Sequence, residues 1–148
     1  MLGTSRDRYS VVVPAADNTT TQNLVYVGTY TAPNKAPGGL APSTAIGIYV
    51  FKMDPTTGGL TPVQVVPNQP NPSFLALDPQ MHVLYATNEV STWKGQQNAG
   101  GVTAFAVDPT TGMLTLLNDQ PSMGAIPAQP TTPMVRLGNL ARMLSRMA

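Results

Sequence analysis

Cysteine is absent from this chain of 148 residues, and histidine and glutamate each occur only once. The absence of cysteine excludes a disulfide framework, a thiolate zinc site and a cysteine nucleophile. Charged residues make up only 10% of the chain, and the lysine and glutamate that helical bundles use are scarce. No apolar run approaches the roughly 18 residues needed to cross a bilayer, so we expect no membrane partner.

Proline and glycine are what the chain has in excess. There are 15 prolines and 13 glycines, and 42% of the residues are hydrophobic. The chain is too apolar and too weakly charged for a mainly disordered protein. Glycine and proline that punctuate short β-branched runs predict an all-β fold of short strands.

Charge is unevenly distributed along the chain. Five arginines lie near the two ends and give these ends, with Asp7, a net charge of +4: Arg6, Arg8, Arg136, Arg142 and Arg146. The stretch between them has three lysines and six acidic residues, a net charge of −3. A nucleic-acid-binding domain presents a basic stripe on its folded body, so we expect no nucleic-acid partner.

An internal repeat organises the middle of the chain. Residues 47–61 return as residues 101–115, and nine of the fifteen pairs are identical. A second echo precedes each copy, because residues 24–29 match residues 83–88 in pattern with the tyrosine in register. A period of about 40–60 residues with several strands per unit is typical of a β-propeller blade.

Strands can be assigned to each unit of the repeat. The second unit has four candidates: Phe74–Leu77, Val83–Thr87, Gly101–Val107 and Met113–Leu117. The first unit has three: Leu24–Thr29, Ile46–Met53 and Leu60–Val66. Its inner strand has no clear candidate, since Val11–Val13 is short and stops at Pro14. The predicted fold is an all-β propeller fragment of about two four-stranded antiparallel blades.

The connections between these strands differ in length. Asp-Pro turns join the first strand of a unit to the second and the third to the fourth. The connections between second and third strands are long, at Tyr30–Ala45 and Glu89–Gly100. Alternate turns of a meander lie on one side, so we expect these loops to lie beside the connection Pro67–Pro72. Long loops on a rigid scaffold usually carry binding.

The long-loop side holds the candidate site. Glu89, the single glutamate, is the predicted catalytic base or a ligand for a sugar hydroxyl. The predicted substrate-binding residues are Asn88, Trp93 and Lys94 beside it, and Tyr30, Thr31 and Lys35 at the comparable place in the first unit. Lys94 could meet a phosphate. The alternative is a solvated loop in which Trp93 covers the adjacent sheet.

Other chemistry-bearing residues fall on the opposite side. His82 lies in a short turn, and Asp54, Asp78 and Asp108 begin Asp-Pro turns, where turn capping is the better interpretation. A Ser-His-Asp triad is therefore not expected. Nothing matches a metal site or a glycine-rich phosphate loop, so we expect no metal and no cofactor.

Five stretches resemble the lactonase-type β-propeller family, which includes bacterial 6-phosphogluconolactonase and the fungal carboxy-muconate cyclase. They are residues 24–31, 47–51, 71–76, 84–89 and 101–105, in the family's order and spacing. The resemblance implies a seven-bladed propeller of more than twice this length that hydrolyses a sugar lactone. It also implies that a C-terminal strand completes the first blade. Because the family's proposed catalytic residues belong to later blades, none is carried over.

The resemblance covers residues 23–128 and divides the chain. Residues 1–22 form a leader that we expect to be poorly ordered, and residues 129–148 form a divergent tail. The tail spaces apolar residues at 137, 140, 144 and 147 beside three arginines, which is typical of a surface helix. A non-native tail is the favoured alternative.

Three functional hypotheses follow. The chain belongs to a lactonase for a 6-phosphogluconolactone-type substrate, to a non-catalytic binding or scaffold propeller, or to a truncated and inactive piece. Two blades leave strand edges open, so we expect missing blades or self-association to cover them. A cytoplasmic location is the default, with a secreted or periplasmic one open.

Overall fold

The computed structural model describes residues 10–12, 23–31, 43–78, 80 and 82–127. These residues form strands and turns without a helix, which confirms the all-β prediction. The strands are β1 Ser10–Val12, β2 Leu24–Gly28, β3 Gly47–Met53, β4 Leu60–Pro67, β5 Pro72–Leu77, β6 Val83–Asn88, β7 Thr92–Trp93, β8 Gln96–Gln97, β9 Gly101–Val107 and β10 Leu114–Pro121. Lys35 and residues 129–148 lie outside the described part of the chain.

The first sheet has four antiparallel strands in the order β1-β2-β3-β4. Its inner strand β1 pairs Val11 with Val27 of β2. The expectation of only three local strands in the first unit is therefore wrong, because the leader supplies the fourth. The sequence signal was weak since β1 has three residues and its pairing crosses a long connection.

The second sheet repeats this meander with β5, β6, β9 and β10, and β5 is its inner strand. All its neighbouring strands are antiparallel. Each strand predicted for the second unit is present, with its ends within four residues of the predicted ones. The inner strands β1 and β5 lie against each other, so the two sheets follow one another as adjacent blades do.

A β-bulge interrupts the outer strand pair of each sheet at the same repeat position. In the first sheet it lies opposite Val50 and Phe51 and contains Val63. In the second sheet it lies at Leu117, between the pairs of Leu116 and Asn118. Val63 and Leu117 are separated by the repeat length, so the repeat extends from sequence to strand register.

The core fills the space between the two sheets. The first sheet contributes Tyr26, Ile48 and Val50, and the second contributes a larger set: Leu75, Leu84, Ala86, Phe105 and Leu114. Side chains of a strand alternate between its two faces, so each sheet turns one face to this core. The opposite faces, called here the outer faces, hold Tyr49, Phe51 and Val65 in the first sheet and Tyr85, Val102 and Ala104 in the second.

Side-chain hydrogen bonds also join the two sheets beside the apolar core. The Tyr26 hydroxyl donates a hydrogen bond to the carbonyl of Gly112, 2.9 Å away. The Gln64 amide accepts from the backbone N–H of Leu114 and donates to its carbonyl, at 2.7 and 3.0 Å. Burial raises the pKa of Tyr26 from 10 to about 12, because the low-dielectric core disfavours the phenolate.

A short hairpin, β7–β8, lies inside the second long connection and was not predicted. Thr92 pairs with Gln97 and Trp93 with Gln96. The two residues between them, Lys94 and Gly95, have φ of 47° and 90°. Two-residue hairpin loops favour positive φ at both central positions, so Gly95 was the available signal.

Candidate functional site

The ends of several strands meet at the long-loop side of the sheets. Asn71, just before β5, links the segment after β2 to the segment after β6. Its Oδ1 accepts from the N–H of Thr31 at 2.9 Å, and its Nδ2 donates to the carbonyl of Glu89 at 3.1 Å. Its own carbonyl accepts from the N–H of Glu89 at 2.9 Å. These bonds confirm that the first residues of both long loops and the Pro-rich connection share one side.

Asn71 itself was missed as a candidate residue. It has a φ of 42° and is almost fully buried. Asparagine adopts the left-handed conformation more readily than most residues and bonds to nearby backbone. The signal available in the sequence was its position directly before Pro72, within a short stretch rich in Asn and Pro.

Glu89 is buried, with 3% of its surface exposed. The hydroxyl of Tyr30 donates a hydrogen bond to its Oε2. Tyr30 is also buried, so the structure brings these two predicted site residues together across two loops. Neither lies in the lining of the two cavities described below.

Asn88, the predicted neighbour of Glu89, points to a different partner. It is fully buried, its Oδ1 accepts from the Thr103 hydroxyl at 2.7 Å, and its Nδ2 donates to the carbonyl of Pro70 at 3.0 Å. Its amide thus joins the Pro-rich connection to the second sheet. Asn88 itself is in neither cavity lining, but it holds two residues that are: Pro70 lines both cavities and Thr103 lines the second.

Trp93 and Lys94 lie in the β7–β8 hairpin on the other side of the connection. The indole packs on Gly101 so closely that a Cβ there would lie 2.5 Å from the ring. Within the described residues, its Nε1 is buried without a hydrogen-bond partner. Lys94 Nζ lies 2.7 Å from Asp119 Oδ2 and 5.9 Å from the centre of the indole ring.

Two cavities flank the segment from Asn68 to Pro70. The first, of about 740 Å³, lies towards the first long loop and is lined by Thr31, Ser43, Thr44, Ala45, Ile46, Asn68, Gln69 and Pro70. The second, of about 450 Å³, is lined by Pro67, Asn68, Gln69, Pro70, Thr92, Trp93, Lys94, Thr103, Leu116 and Asp119. The second is called here the indole cavity. It combines an aromatic ring, an ammonium, a carboxylate and amide groups, which suits a polar ligand.

The side opposite the loops holds turns. His82 is exposed, and its carbonyl accepts from the N–H of Val107 at 2.8 Å. Asp78 Oδ1 accepts from the N–H of Val83 at 2.8 Å. Both residues serve turns, as predicted. In the part of the chain that the structure describes, no group of three acidic or histidine side chains could hold a metal ion, and no helix is long and apolar enough to span a membrane.

Comparison with known proteins gives the same family that the sequence stretches indicate. The family model "Lactonase, 7-bladed beta-propeller" matches residues 24–133. The 6-phosphogluconolactonase of Bacillus subtilis is 33% identical over 100 residues, which is 68% of this chain and 24% of that protein.

Solved structures agree in fold. A candidate 6-phosphogluconolactonase from Bacteroides uniformis has 30% identity and a TM-score of 0.58, over 74% of this chain and 27% of that one. The periplasmic gluconolactonase of Pseudomonas aeruginosa has 26% identity and a TM-score of 0.53, over 70% and 25%. The chain thus spans about a quarter of the length of these relatives. The match over most of its length places the chain in the lactonase, 7-bladed β-propeller family.

Proposed function

We propose that this chain forms two blades of a propeller that hydrolyses a sugar lactone of the 6-phosphogluconolactone type. The observation that carries the proposal is the family match over residues 24–133 together with relatives that bear lactonase names. Hydrolysis adds water to the lactone carbonyl and breaks the ring C–O bond. The products are a hydroxyl group, a carboxylate and one proton.

The indole cavity is the part of this chain that we assign to ligand binding. Trp93 lines this cavity and is almost fully buried, so it offers a ligand the small exposed part of an apolar ring. Lys94 is 67% exposed in its side chain and already pairs with Asp119, so a phosphate would compete with that carboxylate. Charge-assisted bonds to phosphate are the strong ones.

Binding can be measured through Trp93, since it is the only tryptophan in the chain. We expect 6-phosphogluconate, the stable hydrolysis product, to change its fluorescence and to bind more tightly than unphosphorylated gluconate. Lys94→Met should weaken the phosphorylated ligand about fivefold, as for loss of an exposed ion pair. Lys52→Met removes the same charge from an exposed position on β3 and is the matched control.

Catalysis by Glu89 stays a prediction that needs its own test. Proton release with the lactone, corrected for spontaneous opening, measures turnover. If Glu89 is the base, Glu89→Gln should slow turnover at least about a hundredfold with little change in gluconate binding. Unchanged turnover would remove it from the mechanism. Tyr30→Phe is the control, because it removes the buried hydrogen bond to Glu89 but keeps the carboxylate. If Glu89 is the base, Tyr30→Phe should slow turnover much less than Glu89→Gln.

A non-catalytic binding propeller is the second candidate. It is favoured by the burial of Glu89, whose carboxylate holds Tyr30 and lies outside the two cavity linings. Ligand binding at the indole cavity without lactone turnover, in this chain and in a longer form with all blades, would support it.

A further inference from the structure

The indole cavity contains one positive and one negative side chain, and the two are paired with each other. Among the described residues that line this cavity, only Lys94 and Asp119 are charged. Lys94 Nζ lies 2.7 Å from Asp119 Oδ2. The two charges of the lining therefore cancel, and a phosphate that enters the cavity meets an ammonium that already has a carboxylate partner.

The two members of this ion pair differ in how firmly the fold holds them. Asp119 belongs to β10, and its side chain is 18% exposed. Lys94 lies in the two-residue loop of the β7–β8 hairpin, and its side chain is 67% exposed. A lysine ammonium sits at the end of a flexible four-carbon stem. The sheet thus fixes the carboxylate, and the carboxylate determines where the ammonium lies.

A β-bulge directs the Asp119 carboxylate to the cavity. The bulge leaves Leu117 without a partner in β9. After the bulge, Asn118 pairs with Ala104 of the outer face. Asp119 pairs with Thr103, and both of these residues line the indole cavity. Because side chains alternate along a strand, Asn118 would lie opposite Thr103 if the additional residue were absent. The bulge therefore brings a carboxylate, rather than an amide, to the ammonium.

Comparison of the two repeats shows that the fold does not require a charge at this position. In the first sheet the position of Asp119 is occupied by Val65. Val65 pairs with Tyr49, and the bulge of that sheet lies at the same distance from it along the strand. Valine favours strands, whereas aspartate is depleted in them. Asp119 thus departs from the repeat and from strand preference, and its carboxylate contacts Lys94.

We propose that Asp119 is a positioning residue for Lys94 and limits how strongly the indole cavity prefers phosphorylated sugars. This role rests on the proposed function, because it concerns ligand binding at the same cavity. A phosphate that bonds to Lys94 displaces the Asp119 carboxylate or shares the ammonium with it, and the two anions repel each other. A sugar hydroxyl carries no charge and binds without this repulsion. The cavity therefore favours phosphate less than it would with an unpaired lysine.

The test compares 6-phosphogluconate with gluconate, since the phosphate is what distinguishes them. Trp93 fluorescence gives the dissociation constant Kd of each compound for the wild-type chain and for Asp119→Asn, which keeps the size of the side chain and removes its charge. We expect Asp119→Asn to raise the ratio of the gluconate Kd to the 6-phosphogluconate Kd about fivefold, as for one exposed ion pair. A merely structural role would move both constants together. An unchanged or lower ratio would overturn the proposal.

Two further variants separate pairing with Lys94 from other effects of the charge. Asp54→Asn is the matched control, because it removes the same charge on the opposite side of the sheets and keeps an oxygen that can accept the bonds of its turn. We expect it to leave the ratio unchanged. In the Lys94→Met variant, adding Asp119→Asn should also leave the ratio nearly unchanged. The full gain in that variant would show that Asp119 does not act through Lys94.

The outcomes distinguish this role from the proposed hydrolysis. A raised ratio in Asp119→Asn without proton release from the lactone would support the role of Asp119 and refute the hydrolytic function. Lactone turnover with an unchanged ratio would overturn the role of Asp119 and leave the hydrolytic function standing. If neither compound binds to the wild-type chain or to Asp119→Asn, the indole cavity is not a ligand site and the role of Asp119 fails with it.

Discussion

The two Asp-Pro-Thr-Thr-Gly turns have the same sequence and nearly the same local structure. In both, the aspartate Oδ1 accepts from two backbone N–H groups, at 2.8 and 3.0 Å for Asp54 and at 2.9 and 2.7 Å for Asp108. These bonds hold the pKa of both carboxyls below the usual value. Yet Gly112 lies against Leu24 and its carbonyl accepts from Tyr26, whereas a Cβ built at Gly58 would have no described atom within 4 Å. The repeat sets the local geometry, and the neighbouring sheet decides what each position contributes to stability.

The largest difference is expected between Phe105 and Phe51. Phe105 is fully buried and Phe51 only partly. Phe105→Ala should lower the free energy of unfolding by about 3–5 kcal/mol, and Phe51→Ala by clearly less. Urea denaturation of the two variants measures both losses. Equal losses would show that the outer face of the first sheet is as well packed as the core.

A smaller difference is expected between the two turn glycines. Gly58→Ala and Gly112→Ala both place a Cβ at a φ of 72°, which costs about 1–2 kcal/mol. At Gly112 the Cβ would also lie 2.2 Å from a methyl carbon of Leu24, and overpacking adds about 1–3 kcal/mol. Thermal unfolding of the two variants checks this. Leu24→Ala combined with Gly112→Ala should recover part of the overpacking loss, and no recovery would contradict the steric explanation.

The smallest difference is expected between Tyr26 and Tyr85. Tyr26→Phe removes the bond to Gly112 and should cost about 0.5–1.5 kcal/mol near neutral pH. Burial raises the pKa of Tyr26 to about 12, so the stability due to its neutral form is complete below its ordinary pKa of 10. That stability is lost as the pH rises towards about 12.

Tyr85→Phe is the matched control for this effect. The pKa of Tyr85 is also raised, mainly by burial and then by the charge of Asp78, but Tyr85 is less buried than Tyr26. Urea denaturation between about pH 8 and 11 should show a shallower loss of stability for Tyr26→Phe than for the wild-type chain. The same loss of stability in Tyr26→Phe and in the wild-type chain would contradict a raised pKa of Tyr26 in the folded state.

Much of the fold follows from local signals. The Asp-Pro turns and the apolar runs predicted the seven long strands of β2–β6, β9 and β10, because turn chemistry and alternation act over a few residues. The strand β1 was missed because pairing with β2, rather than its own sequence, defines it. The hairpin β7–β8 was missed because its strands have two residues each, three of the four are polar, and only Gly95 marks its loop.

The candidate site was predictable in location and less so in arrangement. The alternation of short and long connections placed Tyr30, Glu89 and Trp93 on one side. Which groups line a cavity depends on how the chain crosses between the sheets, which one sequence does not specify. Asn71 holds the backbones of Thr31 and Glu89 together. Thr31 lines the first cavity and the Glu89 side chain is buried, whereas the hairpin carries Trp93 and Lys94 to the indole cavity.

The indole of Trp93 packs on Gly101, so the two repeats differ in which substitutions they tolerate at this position. The repeat has glycine at both equivalent positions, Gly47 and Gly101. A Cβ at Gly47 would collide with the carbonyl oxygen of Val66, 2.0 Å away. At Gly101 it would collide with the ring of Trp93 instead. A smaller side chain at position 93 would therefore release the constraint on residue 101, and no single side-chain change would release it at residue 47. The two glycines are thus required for unrelated reasons, namely the backbone of Val66 at residue 47 and the ring of Trp93 at residue 101.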